Sequence, residues 1–304
     1  MTQTIPHYIA VDIAKDSLQL DSGKESLSIP YHQQGLSTLI DIINKHSQPR
    51  VVCEATGGYE RKLLDTLYSN EIEVALMNPS LVRNFARSQG IKAKTDPIDA
   101  KMLLRFALQK QPKATQAPEP LRQELAALMD RRSHLTEQLA REKNRLEKSV
   151  ESLRASIEEM IEFVQEAIQA IDSRISDLIE SDQQMQNQAE LMQTVKGVGQ
   201  QTAWTILAYF KEITQLKRNE IVALAGLAPY NRDSGKRKGR RCIQAGRAKV
   251  RKCLYMAARS AAVHNPIIRE YVQGLRERGK PYKCAIVAAM RKILIHLQAL
   301  LKYA

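Results

Sequence analysis

Four acidic residues, in three segments of the chain, have the spacing and the chemistry to act together on a phosphate group. Asp12 interrupts an apolar run with the pattern of a buried strand, and Glu54 directly follows a second such run. Asp96 and Asp99 lie three residues apart in the sequence KTDPIDA, on one side of a helix start. Four carboxylates that close would repel one another unless divalent cations neutralised them. Oxygen-only ligands predict Mg²⁺ or Mn²⁺, and two such ions activate an attacking oxygen and stabilise a leaving oxygen.

Each of these acids also has a purely structural interpretation. Asp96 precedes a proline and suits the N-cap of a helix that begins at Pro97, with Asp99 completing a capping pair. Asp12 suits a salt-bridged strand residue, and Glu54 suits a cap on the turn that follows it. The presence of all four acids in the right order of elements favours the metal site.

Periodicity and turn signals predict the elements that would position these acids. Three strands come first, then helix, strand, helix, strand and helix, which is the order βββαβαβα. This order is the layout of an RNase H-like fold, an α/β class with a mixed sheet. The predicted ranges are strands 7–14, 17–20, 26–30, 50–53 and 73–77, and helices 35–46, 59–67, 79–88 and one from residue 97.

The charge of the chain is unevenly distributed. The net charge is +13, and residues 230–304 hold 19 Lys or Arg against 3 Asp or Glu, which is +16, so the remainder carries −3. Such asymmetry indicates a nucleic-acid partner rather than a well-solvated surface. The sequence shows no signal peptide, no stretch apolar and long enough to span a membrane, and four scattered cysteines, so we expect a cytoplasmic protein without a zinc site.

The middle of the chain has the pattern of long helices. A proline-containing linker covers residues 109–120, and residues 121–185 contain no Gly or Pro but repeat Leu and Ile at spacings of three, four and seven. Arg132 and Glu142 fall in the seam, which leaves an intramolecular hairpin and an oligomerisation arm as alternatives. The predicted domains are therefore 1–118, a coiled-coil region 119–188, and an all-α domain 189–304.

Two segments of the last domain are predicted to bind nucleic acid. In TVKGVGQQTA, Lys196, Gly197 and Gly199 fit a helix-hairpin-helix, whose glycines let backbone N–H groups approach a phosphate, although an ordinary helix–helix turn fits as well. The helix predicted at 246–262 carries a row of cations suited to tracking a phosphate backbone. The cations of this row are Arg247, Lys249, Arg251 and Lys252.

Between these segments lies Ser234, before a glycine in a strongly basic loop. A serine hydroxyl that approaches a phosphate among cations suits a nucleophile, because the cations stabilise the charge that develops, but Ser-Gly is also a common turn. The cations around it are Arg232, Lys236, Arg237, Lys238, Arg240 and Arg241.

Taken together, these motifs resemble the DEDD-type transposases of the insertion-sequence 110 family, relatives of the Piv DNA invertases. The matching segments are IAVDIAKD, VVCEATGGYE, KTDPIDA, TVKGVGQQTA and GLAPYNRDSGKRKGR followed by AGRAKVRKCLYMAA. The resemblance implies a RuvC-like domain, a coiled coil and a C-terminal transposase domain. It also implies that the four acids bind metal and that Ser234 attacks DNA to form a phosphoserine link. The resemblance further implies a structured RNA guide. It also implies a homodimer or homotetramer in which the acids of one subunit complete the serine site of another.

The leading expectation is a recombinase that cuts and rejoins donor and target DNA. One alternative is a RuvC-type, structure-specific nuclease in which water attacks and Ser234 is a turn residue. Another is a non-catalytic nucleic-acid scaffold, whose activity would not depend on Asp12. A covalent protein–DNA adduct separates the first expectation from the second.

Overall fold

The computed structural model describes residues 6–90, 96–117, 119–231, 239 and 242–302, with the side chains of 96 and 97 outside the description. The chain forms two compact units, Met1–Ala117 and Pro118–Ala304. The three-part division predicted from the sequence stays a prediction.

The first unit is built on a mixed five-stranded sheet of order β3-β2-β1-β4-β5. β2 pairs antiparallel with β1 and β3, while β4 pairs parallel with β1 and β5. This confirms the predicted order of elements and is consistent with the RNase H-like layout. The elements are β1 (His7–Ile13), β2 (Ser17–Asp21), β3 (Ser26–Pro30), α1 (Gln33–Ile43), β4 (Pro49–Glu54), α2 (Glu60–Ser69), β5 (Glu73–Met77), α3 (Pro79–Ser88) and α4 (Asp96–Lys110).

Both faces of this sheet are covered by helices, as alternation along β1 shows. Ile9 and Val11 belong to an apolar cluster with buried residues of α1 and α2. Tyr8 and Ala10 point to the other face and belong to a cluster with residues of α3 and α4. Since alternate residues of a strand share a face, Asp12 continues the α3–α4 face.

Where the structure describes it, the second unit is helical apart from one short ribbon of two strands. Its largest apolar cluster runs from Leu125 to Leu301 and includes Trp204 and Phe210. The elements are α5 (Pro120–Leu146), α6 (Glu151–Glu180), α7 (Gln183–Gln193), α8 (Gln200–Tyr209), a 3-10 helix (Lys211–Thr214), α9 (Arg218–Leu224), β6 (Pro229–Tyr230), β7 (Cys242–Ile243), α10 (Ala248–His264), α11 (Pro266–Glu277) and α12 (Tyr282–Lys302).

α5 and α6 pack against each other as an intramolecular hairpin, one of the two alternatives left open by the sequence. The predicted seam residue Arg132 is satisfied across the hairpin, where its Nε and Nη2 donate to the two carboxylate oxygens of Asp172 at 2.5 and 3.0 Å. Glu142 instead accepts from Arg145 of its own helix at 3.0 Å. A bidentate pair at one level of the seam fixes the register of the two helices.

One helix corrects a sequence expectation. Within the described chain, α12 is long and apolar enough to cross a membrane by length and composition, with a mean hydropathy of 1.6 over 18 residues. The expectation that no stretch met this test was wrong, because a helix in an all-α core is apolar on most of its faces. Half of that window is buried in the protein, and the buried amide of Gln298 donates to the carbonyls of Ile213 and Leu216 at 2.8 and 2.7 Å.

Candidate active site

The parallel pairing of β1 and β4 brings the first two acids together. The paired register of the two strands ends with Val11 opposite Cys53, so Asp12 and Glu54 are the next residues of two adjacent strands. Parallel strands in register present neighbouring side chains on the same face. Both acids are half-buried and lie where the strands end.

The direction of α4 brings Asp99 to the same edge. Just after α4, the carbonyl of Pro112 accepts from Tyr8 Oη at 3.4 Å and from Arg50 Nη1 at 3.0 Å, which places the end of α4 at the starts of β1 and β4. α4 therefore runs antiparallel to these strands, and its first turn lies at the edge that carries the acids. Asp99 is one turn before Leu103, which packs on the face that Asp12 continues. Asp96 begins α4, and its side chain lies outside the described residues.

The loop that follows Glu54 is fixed by Glu60. Its carboxylate accepts from the backbone N–H groups of Thr56 and Gly58 at 3.0 and 2.8 Å and from the Thr56 hydroxyl at 3.1 Å. Burial alone would raise the pKa of the Glu60 carboxyl, but these hydrogen bonds outweigh it and hold the pKa below its usual value. A carboxylate of α2 thus caps the turn beside Glu54, which is the task that the structural interpretation of the sequence gave to Glu54 itself.

The donor chemistry at this edge suits a hard divalent cation. Carboxylate oxygens are the ligands that Mg²⁺ and Mn²⁺ prefer. The neighbouring Cys53 packs in the apolar cluster on the other face of the sheet, and burial raises the pKa of its thiol to about 12. Among the described residues no three of His, Cys, Asp or Glu form a group close enough to hold a metal ion. The described acids therefore share an edge without forming a complete ligand set.

In the second unit, the antiparallel ribbon of β6 and β7 flanks the predicted nucleophile. Tyr230 pairs with Cys242, so residues 231–241 form the connection that contains Ser234. Ser234 itself lies outside the described residues, as do the six cations predicted around it. Those cations are Arg232, Lys236, Arg237, Lys238, Arg240 and Arg241.

The base of the ribbon is held by two glycines in contact. Gly226 and Gly246 both have a φ of +70°, and a Cβ at Gly246 would lie 2.2 Å from the backbone nitrogen of Gly226. Arg247 N–H donates to the carbonyl of Leu224 at 2.9 Å across the same contact. Because no other residue fits such a close approach at this φ, the glycines set where the two ends of the serine loop enter the fold.

Arg247, predicted to bind phosphate, is engaged within the protein. Its guanidinium donates to both carboxylate oxygens of Glu212 at 2.6 Å and to the carbonyl of Tyr209 at 2.6 Å, and it lies over the ring of Phe210. Burial would raise the pKa of Glu212, but the hydrogen bonds from Arg247 dominate and lower it, so the pair is ionic at neutral pH.

Two further predicted phosphate ligands also have protein partners. Lys249 Nζ pairs with Asp130 of α5 and lies 4.4 Å from the ring centre of Tyr209, whose hydroxyl donates to the same carboxylate. Arg251 donates to the carbonyl of Ala245 at 2.5 Å. These residues tie the ribbon base to α5 and α8, whereas Lys252 is exposed. Their role as phosphate ligands stays a prediction.

The glycines of the predicted helix-hairpin-helix differ in their surroundings. A Cβ at Gly197, whose φ is +99°, would lie 2.5 Å from the backbone nitrogen of Ala261 in α10. Gly199 caps α8 and has open space around the position of a Cβ. Lys196 is exposed, and its carbonyl accepts from the Asn265 side chain at 3.3 Å. Gly197 therefore serves helix packing, and only the start of α8 faces open space.

Comparison with protein families accounts for both units. A DEDD transposase model of IS110 matches residues 9–154, and a model of the transposase IS116/IS110/IS902 family matches residues 189–273. The chain belongs to the IS110 family of transposases. The first match contains all four predicted acids, and the second contains the glycine turn and Ser234. An IS110 transposase is a DNA transposase or recombinase enzyme, and its DEDD domain indicates dependence on a divalent metal.

Two relatives of this IS110 transposase are DNA-inverting proteins. The pilin gene-inverting proteins of Moraxella bovis and Moraxella lacunata are each 28% identical to the chain over 299 residues, covering 94% of this chain and 93% of the relative. The similarity extends along almost the whole of both proteins. It supports transposase and DNA invertase activity in this family.

Sequence reasoning missed the partners that hold the serine loop in this transposase. Asp130 and Glu212 have the sequence pattern of ordinary helix-surface acids, and their partners Lys249 and Arg247 lie 119 and 35 residues away. The available signal was local. Tyr209 and Phe210 are adjacent aromatic residues at a helix end, and each stacks with one of the two cations.

Proposed function

We propose that this IS110 transposase cuts and rejoins DNA through a covalent bond between Ser234 and a DNA phosphate, assisted by its carboxylate edge. The observation that carries the proposal is the convergence of Asp12, Glu54 and Asp99, from three distant segments, on one edge of the sheet of a transposase. These acids concentrate negative charge at one edge of the sheet, and such concentrations of charge are typical of functional sites.

The chemistry assigned to Ser234 is a reversible exchange of phosphate esters. Oγ forms a bond to phosphorus while the bond from phosphorus to one bridging oxygen breaks; the hydroxyl proton leaves Oγ and the released oxygen gains a proton. Attack by a new strand reverses the exchange and frees the serine. The phosphoserine ester conserves the energy of the original phosphodiester, so rejoining needs no external energy.

The acids contribute by placing positive charge beside the reacting phosphate. Mg²⁺ or Mn²⁺, when bound there, would supply Lewis-acid chemistry and charge neutralisation at the phosphate. The residues that would hold it are Asp12, Glu54, Asp96 and Asp99. The chain's own loop cations would orient the strand around Ser234, and the paired Arg247 and Lys249 would keep the loop ends in place.

We also propose that a structured RNA guides the choice of donor and target DNA. The support is the +16 charge of residues 230–304, which is large enough to serve a second polyanion beside the DNA, together with the family. Several of these cations face the protein, so the exposed ones, such as Lys252, carry this binding.

A gel assay for covalent adducts tests both proposals. Labelled element-end DNA is incubated with Mg²⁺, with and without RNA from the non-coding end of the element, and with wild-type or Ser234→Ala protein. The expected result is an adduct that requires RNA and is absent in Ser234→Ala, with Ser260→Ala, an exposed serine of α10, behaving as wild type. Free cleaved ends from Ser234→Ala would favour the nuclease alternative, and site-specific adducts without RNA would contradict guidance.

We propose that the hairpin is also an assembly arm for a second copy of the chain. α6 carries a second apolar row, Leu153, Met160 and Phe163, on the side away from α5, and these side chains are 55%, 43% and 65% exposed. They recur at heptad-like spacing, as the residues of the buried seam do, which suits packing against an identical helix. The partner chemistry is therefore another α6.

Charging this row is expected to prevent assembly. Met160→Glu with Phe163→Glu should reduce the mass measured by light scattering to that of a monomer, while the buried seam of the hairpin stays intact. The matched control is Gln165→Glu with Gln169→Glu, exposed residues of the same helix. An unchanged mass in the first variant would rule out this interface.

A further inference from the structure

The first unit has a basic surface that its overall charge conceals. Residues 77–110 contain seven Lys or Arg and only two acids, Asp96 and Asp99, whereas the whole of residues 1–117 holds 14 Lys or Arg against 12 Asp or Glu, a net charge of only +2. Within the described chain, five of these cations are exposed and none of the five pairs with an acid. Lys110 ends α4, and the other four, named here the α3–α4 cations, are Arg83, Arg87, Lys101 and Arg105.

The α3–α4 cations lie on one continuous layer. α3 and α4 both cover the sheet face that Asp12 continues, and they contact each other through an edge-to-face pair of Phe85 and Phe106, with ring centres 5.4 Å apart. Both helices begin at the carboxylate edge, α3 because it follows β5 directly and Met77 of β5 pairs with Glu54, and α4 because its far end lies at the starts of β1 and β4. The cations form one pair four residues apart on each helix, on the side that faces away from the sheet.

The repulsion among these like charges favours the binding of a polyanion. Like charges four residues apart on a helix repel each other and weaken it, and no acid among the described residues pairs with these four cations to relieve the repulsion. The neighbouring acids also repel any polyanion that approaches them. A strip of cations leading to an acidic edge fits a strand of phosphates that must be held against that repulsion.

We infer that the α3–α4 cations bind the backbone of the DNA strand that is delivered to the carboxylate edge. The inference rests on the proposed function, because it takes that edge as the place where DNA is processed. The assignment is to DNA rather than guide RNA because the surface adjoins the acids themselves. It makes these four residues positioning residues, which read no sequence and hold the strand by charge.

Salt dependence of binding is the measurement that tests the inference. The variant is Arg83→Gln, Arg87→Gln, Arg105→Gln in the full chain; Lys101 is kept because it is two residues from Asp99. The control is Lys45→Gln with Lys113→Gln, two exposed cations in the connections at the starts of β1 and β4.

A plot of log K for DNA binding against log salt concentration has a negative slope, and each phosphate that the protein ceases to neutralise reduces the magnitude of this slope by about 0.9. We therefore expect the variant to reduce the magnitude of the slope for duplex DNA by about 2 to 3. The control should lower it by less than about 1. The slope is measured without divalent metal, so it reports on the α3–α4 cations whether or not the carboxylate edge acts in cleavage. An unchanged slope in the variant, or a reduction seen with RNA hairpins and not with DNA, would overturn the inference.

Discussion

Replacing Asp12 by asparagine should abolish DNA cleavage and adduct formation without unfolding the protein. Asparagine keeps the size of the side chain but removes the charge that a divalent cation needs. Metal assistance at a phosphodiester is worth several kcal/mol, so the rate should fall about 10³-fold or more. Rates are measured on labelled element-end DNA under single-turnover conditions with Mg²⁺.

The control for Asp12→Asn is Asp41→Asn, which changes an exposed carboxylate of α1 in the same unit. It should leave cleavage unchanged, and both variants should melt within a few degrees of wild type. Cleavage by Asp12→Asn at the wild-type rate would remove Asp12 from the catalytic site and support the scaffold alternative. Loss of cleavage together with a collapsed melting transition would assign Asp12 a structural role.

Replacing Gly197 by alanine should destabilise the second unit by about 2 to 4 kcal/mol. A residue with a side chain at a φ of +99° is strained, at a cost of about 1 kcal/mol, and the new Cβ would press on the backbone of Ala261, which adds about 1 to 3 kcal/mol. Thermal unfolding followed by circular dichroism measures the change.

Gly199→Ala is the matched control two residues away. Space around Gly199 is open and its φ of −94° suits any residue, so the loss of stability should stay below about 1 kcal/mol, the typical cost of alanine at an N-cap. Equal stability of the two variants would mean that the Gly197 turn does not pack on α10. DNA binding by Gly199→Ala then reports on the start of α8 without a loss of folding.

The sheet of the first unit was predictable because each element is marked locally. β5 and α3 match their predicted ranges, since a short apolar run and an Asn-Pro helix start leave few alternatives. β6 and β7 were missed because two-residue strands have no period to detect. α11 was missed as well, and the break between α5 and α6 at residues 147–150 has no Gly or Pro to mark it.

The candidate site, like the fold, could be predicted from the sequence only in part. The edge shared by Asp12 and Glu54 follows from the order of strands, so its chemistry could be inferred from sequence. Which cations are free to bind DNA could not be inferred from the sequence, because ion pairs within the protein depend on contacts between distant segments. The pair of Arg247 and Glu212 is an example. The α3–α4 cations were not singled out from the sequence, because a net charge summed over a long segment hides a local pair of basic helices.

The continuity of the apolar cluster from α5 to α12 has a consequence for biosynthesis. α10, which follows the ribbon, packs on α12 in this core, so α10 has no complete apolar surface to pack on until α12 has been synthesised. The sheet unit closes with α4 and can fold well before then. A nascent or truncated chain without α12 would therefore present a folded carboxylate edge while the ribbon that flanks Ser234 is still unanchored. The proposed attack by Ser234 would then begin only in chains in which α12 is in place.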